Sequence, residues 1–324
     1  MNKFAVENEF TDDLVSVLIP TYNRAKLLKE AVQSVIDQSY RPIECIIVDD
    51  GSNDNSKEII NSFIEKNIEN FKIKYFLQKN AGAQVARNLG TKYCTGEFIQ
   101  YLDSDDLLNS EKIKHQVRIL KSNPDIDGTY GDFRKGSLEN NKLIRAYQKD
   151  DLLTQFLTEF CAPNFSLLLR RDYVENIGDW DIKLKRFQDI DFHLRGFILG
   201  GKYKYVSFET GLWRTHGEER ISERADLNDI FEYFGKWESI LVRKNLFTQN
   251  IKNYFANFYF FTAVNNNLNS KSEKLKALKL AAVLDPHIPF ISTPKMKYLR
   301  RIFGLKNSLK MWLSRSEKIT SKEI

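Results

Sequence analysis

The sequence predicts an α/β fold: a mainly parallel sheet covered by helices, followed by a helical C-terminal region. Three observations predict it. From Leu14 to about Phe133, short β-rich runs alternate with stretches of helical period. The run IECIIV is apolar without alternation, as in strands buried on both faces. From about Leu227 onward every stretch reads as helix, including NYFANFYFFTAV and KLKALKLAAVLDP.

The elements follow in order. LVSVLIP (Leu14 to Pro20), PIECIIVDD (Pro42 to Asp50), FKIKYFLQ (Phe71 to Gln78), GEFIQYLD (Gly96 to Asp103) and DIDGTYGDF (Asp125 to Phe133) are the strands. Between them, LLKEAVQSVIDQ, SKEIINSFIEK, AQVARNLGTKY and SEKIKHQVRILK carry apolar residues at i, i+3, i+4 and i+7. KGSLENNKLIRAYQKDD reads as a surface excursion. A second block from about Leu152 to Gly217 offers an apolar strand (Phe165 to Leu169), the helical RFQDIDFHLRGFILG and the loop-like GLWRTHGEERIS.

The bulk properties bound the function. A chain of 324 residues suits a catalytic domain with a helical appendage, and 42% hydrophobic with 28% charged residues excludes collagen, coiled coil and wholesale disorder. Three cysteines, Cys45, Cys94 and Cys161, without a CxxC pair, argue against a zinc site and for a reducing compartment. The opening MNKFAVENEF lacks a signal-peptide core, and no run approaches the ~20 apolar residues of a membrane span, so a cytoplasmic protein is expected. The net charge is a modest +6, and no nucleic-acid partner is expected. The tail concentrates Lys295, Lys297, Arg300, Arg301, Lys306, Lys310 and Arg315 among Leu299, Phe303 and Trp312. Such a segment either lies on an anionic membrane, at the inner face of the cell membrane, or packs its apolar side on the catalytic domain.

Parallel sheets bind ligands beyond the carboxyl ends of their strands. The residues there are Thr21-Tyr22-Asn23-Arg24, Asp49-Asp50-Gly51-Ser52, Asn80-Ala81-Gly82 and Asp103-Ser104-Asp105-Asp106. Mg²⁺ and Mn²⁺ take hard oxygen ligands, usually one or two carboxylates completed by substrate phosphates, so Asp-x-Asp suits a nucleotide-diphosphate metal. An isolated Asp-x-Asp is also an ordinary turn. Its place after a buried strand, matched by Asp49-Asp50 after another, makes it a site.

These motifs carry a resemblance. VSVLIPTYNR, SVIDQSY, IIVDDGSNDNS, NAGAQVARNLG, YLDSDDLL, IGDWDIKLKRFQDIDFHLR and WRTHGEERIS stand in the order found in family-2 glycosyltransferases of the GT-A fold, so the chain from Val15 to about Gly217 resembles that family. The resemblance implies a catalytic domain over 12–220 and a helical region over 221–324. It implies an inverting transfer from a nucleotide-diphosphate sugar, with UDP the expected nucleotide, to a hydroxyl on a glycan or lipid-linked acceptor in surface glycan or polysaccharide synthesis. Thr21, Tyr22 and Asn23 would pack on the base, and Asp50 or Asp49 would bond its edge. Pro20, Asn80, Gly82 and Ser104 would belong to the same nucleotide surface, and Arg87 would neutralise phosphate or orient Asp50. Asp103 would meet the ribose or the metal, Asp105 would hold Mn²⁺ or Mg²⁺, and His216 falls near that metal.

An inverting transfer needs a carboxylate to take the acceptor proton. The family's Glu-Asp pair is Gln188-Asp189 here, which leaves Asp189 as the base and Asp191 as its alternate. Trp180 would line the acceptor pocket or belong to the core, and His193 would pack within its helix. Two rival readings remain open at this stage: a non-catalytic sugar-nucleotide-binding scaffold, and a nucleotidyltransferase. The second calls for a Gly-rich basic loop where PTYNRAKLL stands.

Overall fold

The computed structural model describes residues 11–159, 162–217, 227–265, 270–286, 288 and 308–309. Cys161, His287 and all the cationic residues of the tail lie outside the described residues, and so does the membrane reading built on that tail. The described residues divide between two units, with bounds Met1–Lys183 plus Phe187–Glu218 and Leu184–Arg186 plus Glu219–Ile324.

The first unit opens with three βα repeats and a fourth strand: β1 (Thr11–Thr21), α1 (Ala25–Ile36), β2 (Ile43–Asp49), α2 (Ser56–Ile64), β3 (Phe71–Leu77), α3 (Ala83–Thr91) and β4 (Gly96–Tyr101). Then come β5 (Leu107–Leu108), α4 (Lys112–Ser122), β6 (Gly128–Gly136), β7 (Asn141–Ile144), α5 (Leu152–Thr158), β8 (Leu168–Arg170), α6 (Arg171–Ile177), α7 (Gln188–Ile198) and β9 (Tyr203–Arg214). Among the described residues these nine strands form one sheet in the order β3-β2-β1-β4-β8-β6-β9-β5, with β7 on β6. β1, β2, β3 and β4 pair in parallel, as do β6 and β9, while β5, β7 and β8 run antiparallel to their neighbours.

Period-2 burial sorts the core into three layers. Val15, Val17, Ile19, Ile43, Cys45 and Ile47 share one cluster with Leu28 and Val32 of α1, Phe63 of α2 and Val117 of α4. Leu18 and Val48 point the other way, to α3, where Gly90 permits contact: a Cβ there would lie 2.5 Å from a Leu18 methyl. The register sets Thr21 beside Asp49 and Leu18 beside Tyr101, so the ends of β1, β2 and β4 meet at one edge.

Three local expectations change. The strand over Phe165 to Leu169 is a 3₁₀ turn, Asn164–Ser166, followed by β8, because buried side chains take the turn's carbonyls in place of a ladder. Gln100 donates to Phe165 O (2.9 Å) and Gln116 to Ser166 O (2.8 Å). The polar excursion after Lys135 contains β7, a hairpin partner of β6 in which Lys142 is exposed. GLWR closes β9, and the loop starts only at Thr215. Gly211, which reads as a loop residue, is a close-approach position, since a Cβ there would sit 2.1 Å from Leu107 O.

The second unit holds α8 (Leu227–Arg243), α9 (Gln249–Asn265) and α10 (Lys271–Leu284). Phe234 and Trp237 of α8, Phe255 and Tyr259 of α9 and Leu278 of α10 are buried. Ser270 caps α10 reciprocally with Glu273. No described helix is long and apolar enough to cross a membrane.

His193 on α7 is buried with its Nδ1 3.0 Å from the Tyr203 hydroxyl. Burial, and then nearby Arg195, push its imidazole down from 6.5 to about 3. The unfolded chain therefore binds a proton that the fold refuses, and stability falls as pH drops below 6.5 towards 3. At about pH 5 the loss is about 2 kcal/mol. Urea midpoints at about pH 7.5 and about pH 5 should therefore differ less in His193→Asn than in the wild type.

Candidate active site

The sheet edge at the ends of β1 and β2 is built from two loops tied together. After β1, Asn23 takes a left-handed backbone (φ 49), donates its N–H to Ser52 Oγ (2.8 Å) and accepts from Asn53 N–H (2.7 Å). Pro20 is buried within β1 and Tyr22 is 45% exposed. Thr21 is buried, and its hydroxyl has no hydrogen-bond partner among the described residues. The start of α1 is anchored from the neighbouring loop, since Asp54 accepts Ala25 N–H at 2.9 Å.

The two acids after β2 are buried and hold loops. Asp49 accepts from Ser52 N–H and from the Tyr75 hydroxyl, each at 2.7 Å. Asp50 accepts from Gln78 Nε2 (2.7 Å), Ala81 N–H (2.7 Å) and Gly82 N–H (2.8 Å). Gly82 takes a left-handed φ of 101° where α3 begins, which lets both amides turn onto one carboxylate. Asn80, beside them, is exposed. Arg87 does not orient Asp50: it pairs with Asp103 at 2.6 Å, because backbone amides already occupy the Asp50 side.

The acidic loop after β4 is pinned from distant parts of the chain. Asp103 O accepts Asp106 N–H at 3.0 Å, closing a turn around the buried Ser104. Asp105 Oδ2 meets the Arg24 guanidinium and lies 3.0 Å from His216 Nε2. Asp106 is buried and accepts Arg214 N–H at 3.0 Å. The Arg214 side chain, itself buried, donates to Asp105 O (2.6 Å), to Leu27 O (3.3 Å) and to Glu30.

Among the described residues no three His, Cys, Asp or Glu side chains gather into a metal-holding group. Asp105 and His216 nevertheless bring one hard oxygen and one imidazole nitrogen side by side, 3.0 Å apart and in contact with each other. That partial donor set fits a divalent ion whose shell a diphosphate completes.

The third part is the start of α7. Phe187 caps it in a left-handed conformation (φ 58), followed by Gln188 and Asp189. Asp189 is half-buried. Burial raises its carboxyl above the usual aspartate value, and Asp103 adds to the rise while Arg87 opposes it. Asp191 is fully buried and bound to Arg195 Nε at 3.0 Å, so this alternate base sits in the core as half of an ion pair. Trp180 is core rather than pocket wall: it stacks on Phe192 (4.5 Å between centroids) and lies under Arg87.

Sequence reasoning gave no role to Arg24, Arg214, Tyr75 or Gln84. Arg24 stood inside a singled-out loop. Arg214 carried one signal, an arginine closing an apolar strand.

A family model described as Glycosyl transferase family 2 matches residues 16–178. An uncharacterized glycosyltransferase of Haemophilus influenzae is 38% identical over 188 residues, which cover 57% of this chain and 70% of the relative. Among solved structures, S. aureus TarS 1–349 in complex with UDP-GlcNAc superposes with a TM-score of 0.67 at 18% identity, covering 91% of this chain and 89% of that one. The mannosyltransferase PcManGT of Pyrobaculum calidifontis, in complex with GDP-Man and Mn²⁺, gives 0.51 at 14% identity over 94% of this chain and 84% of that one. At such identities the two structures speak for the fold, which is the GT-A fold. By its family model and its relatives, the chain belongs to glycosyltransferase family 2.

Proposed function

We propose that this glycosyltransferase moves a sugar from a nucleoside-diphosphate donor to a hydroxyl acceptor with inversion, and that Asp189 is its general base. One observation supports this most: a half-buried carboxylate of raised proton affinity stands at the start of α7, with Asp103 and Arg87 as its charged neighbours. Asp189 takes the acceptor proton as that oxygen attacks the anomeric carbon. The bond from that carbon to the diphosphate breaks, and the nucleoside diphosphate leaves.

The exposed Tyr22 ring offers a flat face to a base. Asp50 already accepts three hydrogen bonds and, with about four acceptor positions in a carboxylate, keeps one for the base edge. Asp103, held by Arg87, serves the ribose side. Asp105 and His216 would hold Mn²⁺ or Mg²⁺, whose chemistry is to neutralise the departing diphosphate. Arg24, on the same carboxylate, adds positive charge there. UDP is the expected nucleotide, a reading supported by a TarS neighbour that carries UDP-GlcNAc.

A panel of UDP-, GDP- and dTDP-sugars with and without Mn²⁺ tests this reading. Metal-dependent nucleoside-diphosphate release and thermal stabilisation are expected with a UDP-sugar. Stabilisation without release under any condition would favour a sugar-nucleotide-binding scaffold.

A further inference from the structure

Asp103 and the start of α7 are joined through one guanidinium. Arg87 donates from one terminal nitrogen to Asp103 (2.6 Å) and from the other to Gln188 Oε1 (2.9 Å), with its plane 4.6 Å from the Trp180 ring centroid. Gln188 donates from Nε2 to Gln84 Oε1 (2.8 Å), and Gln84 donates in turn to Ile182 O (3.3 Å). Gln84 and Arg87 are 6% and 7% exposed, so water competes little for these bonds. Position 188 must accept from a cation and donate to a carbonyl at once. An amide does both, whereas a carboxylate cannot donate. The preceding Phe187 holds a left-handed backbone, which a bulky residue keeps only where its surroundings over-determine it.

We propose that Gln84 and Gln188 are positioning residues of the sugar transfer, a pair of amides that fixes Arg87 and thereby sets the Asp189 carboxylate at the start of α7 against the donor-side Asp103. The inference rests on the reading of Asp189 as the base. Gln188 directly precedes Asp189, so its anchored side chain controls where the first turn of α7 lies. A misplacement of about 1 Å at a reacting group can cost ~10²-fold in rate. Loss of one bond in this pair should lower kcat by roughly tenfold and leave the donor KM within about twofold, because the loops after β1 and β2 are untouched.

The test uses the full chain and UDP-GlcNAc, or whichever donor of the panel the wild type turns over faster. Gln84→Met and Gln188→Met keep the shape of the side chain and remove the amide. Gln84→Glu keeps an acceptor for Gln188. Both Met variants should lose kcat at constant KM, and Gln84→Glu, which keeps the acceptor for Gln188 but gives up the bond to Ile182 O, should recover part of it. Wild-type kcat in both Met variants overturns the proposal, as does an equal loss in Gln84→Glu and Gln84→Met, which would make position 84 a packing site. If Gln84→Met fails to fold, the half-buried Gln188→Met decides alone. If Asp189→Asn stays fully active while the Met variants lose kcat, the amides serve the donor side and the base assignment is what fails. No release from any panel donor by the wild type overturns the parent reading, and this inference with it.

Discussion

Asp189→Asn should bind UDP as the wild type does and transfer sugar at least about 10²-fold more slowly. Asparagine keeps the shape of aspartate and removes its basicity, so the loss falls on proton transfer. The pH profile gives a second readout. The ionised carboxylate is the active form, so the rate rises as pH climbs through the Asp189 pKa. Burial and Asp103 raise that value, which places the acid limb above the ordinary aspartate range. In Asp189→Asn that limb should disappear. Asp191→Asn should act differently, because it leaves Arg195 facing a neutral group inside the fold and costs stability first. Transfer lost in folded Asp191→Asn and retained in Asp189→Asn would move the base to Asp191. Full activity in both would favour the scaffold.

Asp105→Ala should remove the metal dependence of UDP binding. In calorimetry with UDP and Mn²⁺, affinity should fall by more than about tenfold, the order seen when even the support of a metal ligand is lost. The same substitution takes the Asp105 carboxylate away from Arg24, and its guanidinium then attracts diphosphate more strongly whether or not metal is present. The informative quantity is therefore the ratio of affinities with and without Mn²⁺, which should approach one. An unchanged ratio would make the acidic loop a turn and nothing more.

The parallel half of the fold was legible because burial on both faces leaves an apolar run with no alternation, as in Ile43–Asp49, and the chemistry follows such runs directly. Asp103 and Asp105 were singled out this way, and Asp189 through the motif resemblance. Their partners were not, because ion pairs such as Arg24 with Asp105 and Arg87 with Asp103 are fixed by how strands and helices close on one another. Their place at the end of an apolar strand, and the resemblance, made Asp49 and Asp50 look like ligand groups. Coordinates show carboxylates that mostly satisfy backbone and side-chain donors of their own loops. Trp180 was ambiguous for a related reason: an aromatic side chain stacks equally well on a sugar or on Phe192, and only the position of α7 decides. The Gln at 188 read as a weakened acid, whereas its neighbours give it two partners that one amide can serve together.

Arg214 carries a consequence for the order in which the chain acquires its shape. It closes β9, yet its bonds reach Asp105, Asp106, Leu27 and Glu30, across sequence separations of up to 187 residues. Contacts of such separation form late, since a long loop must close before they stabilise anything. During synthesis the strands β1 to β4 can pair as soon as they emerge, and Arg24 and Arg87 can meet the acidic loop, but its Arg214 anchor is missing until residue 214 has left the ribosome. The nascent chain thus holds the parallel half of its sheet well before it holds the last anchor of its acidic loop.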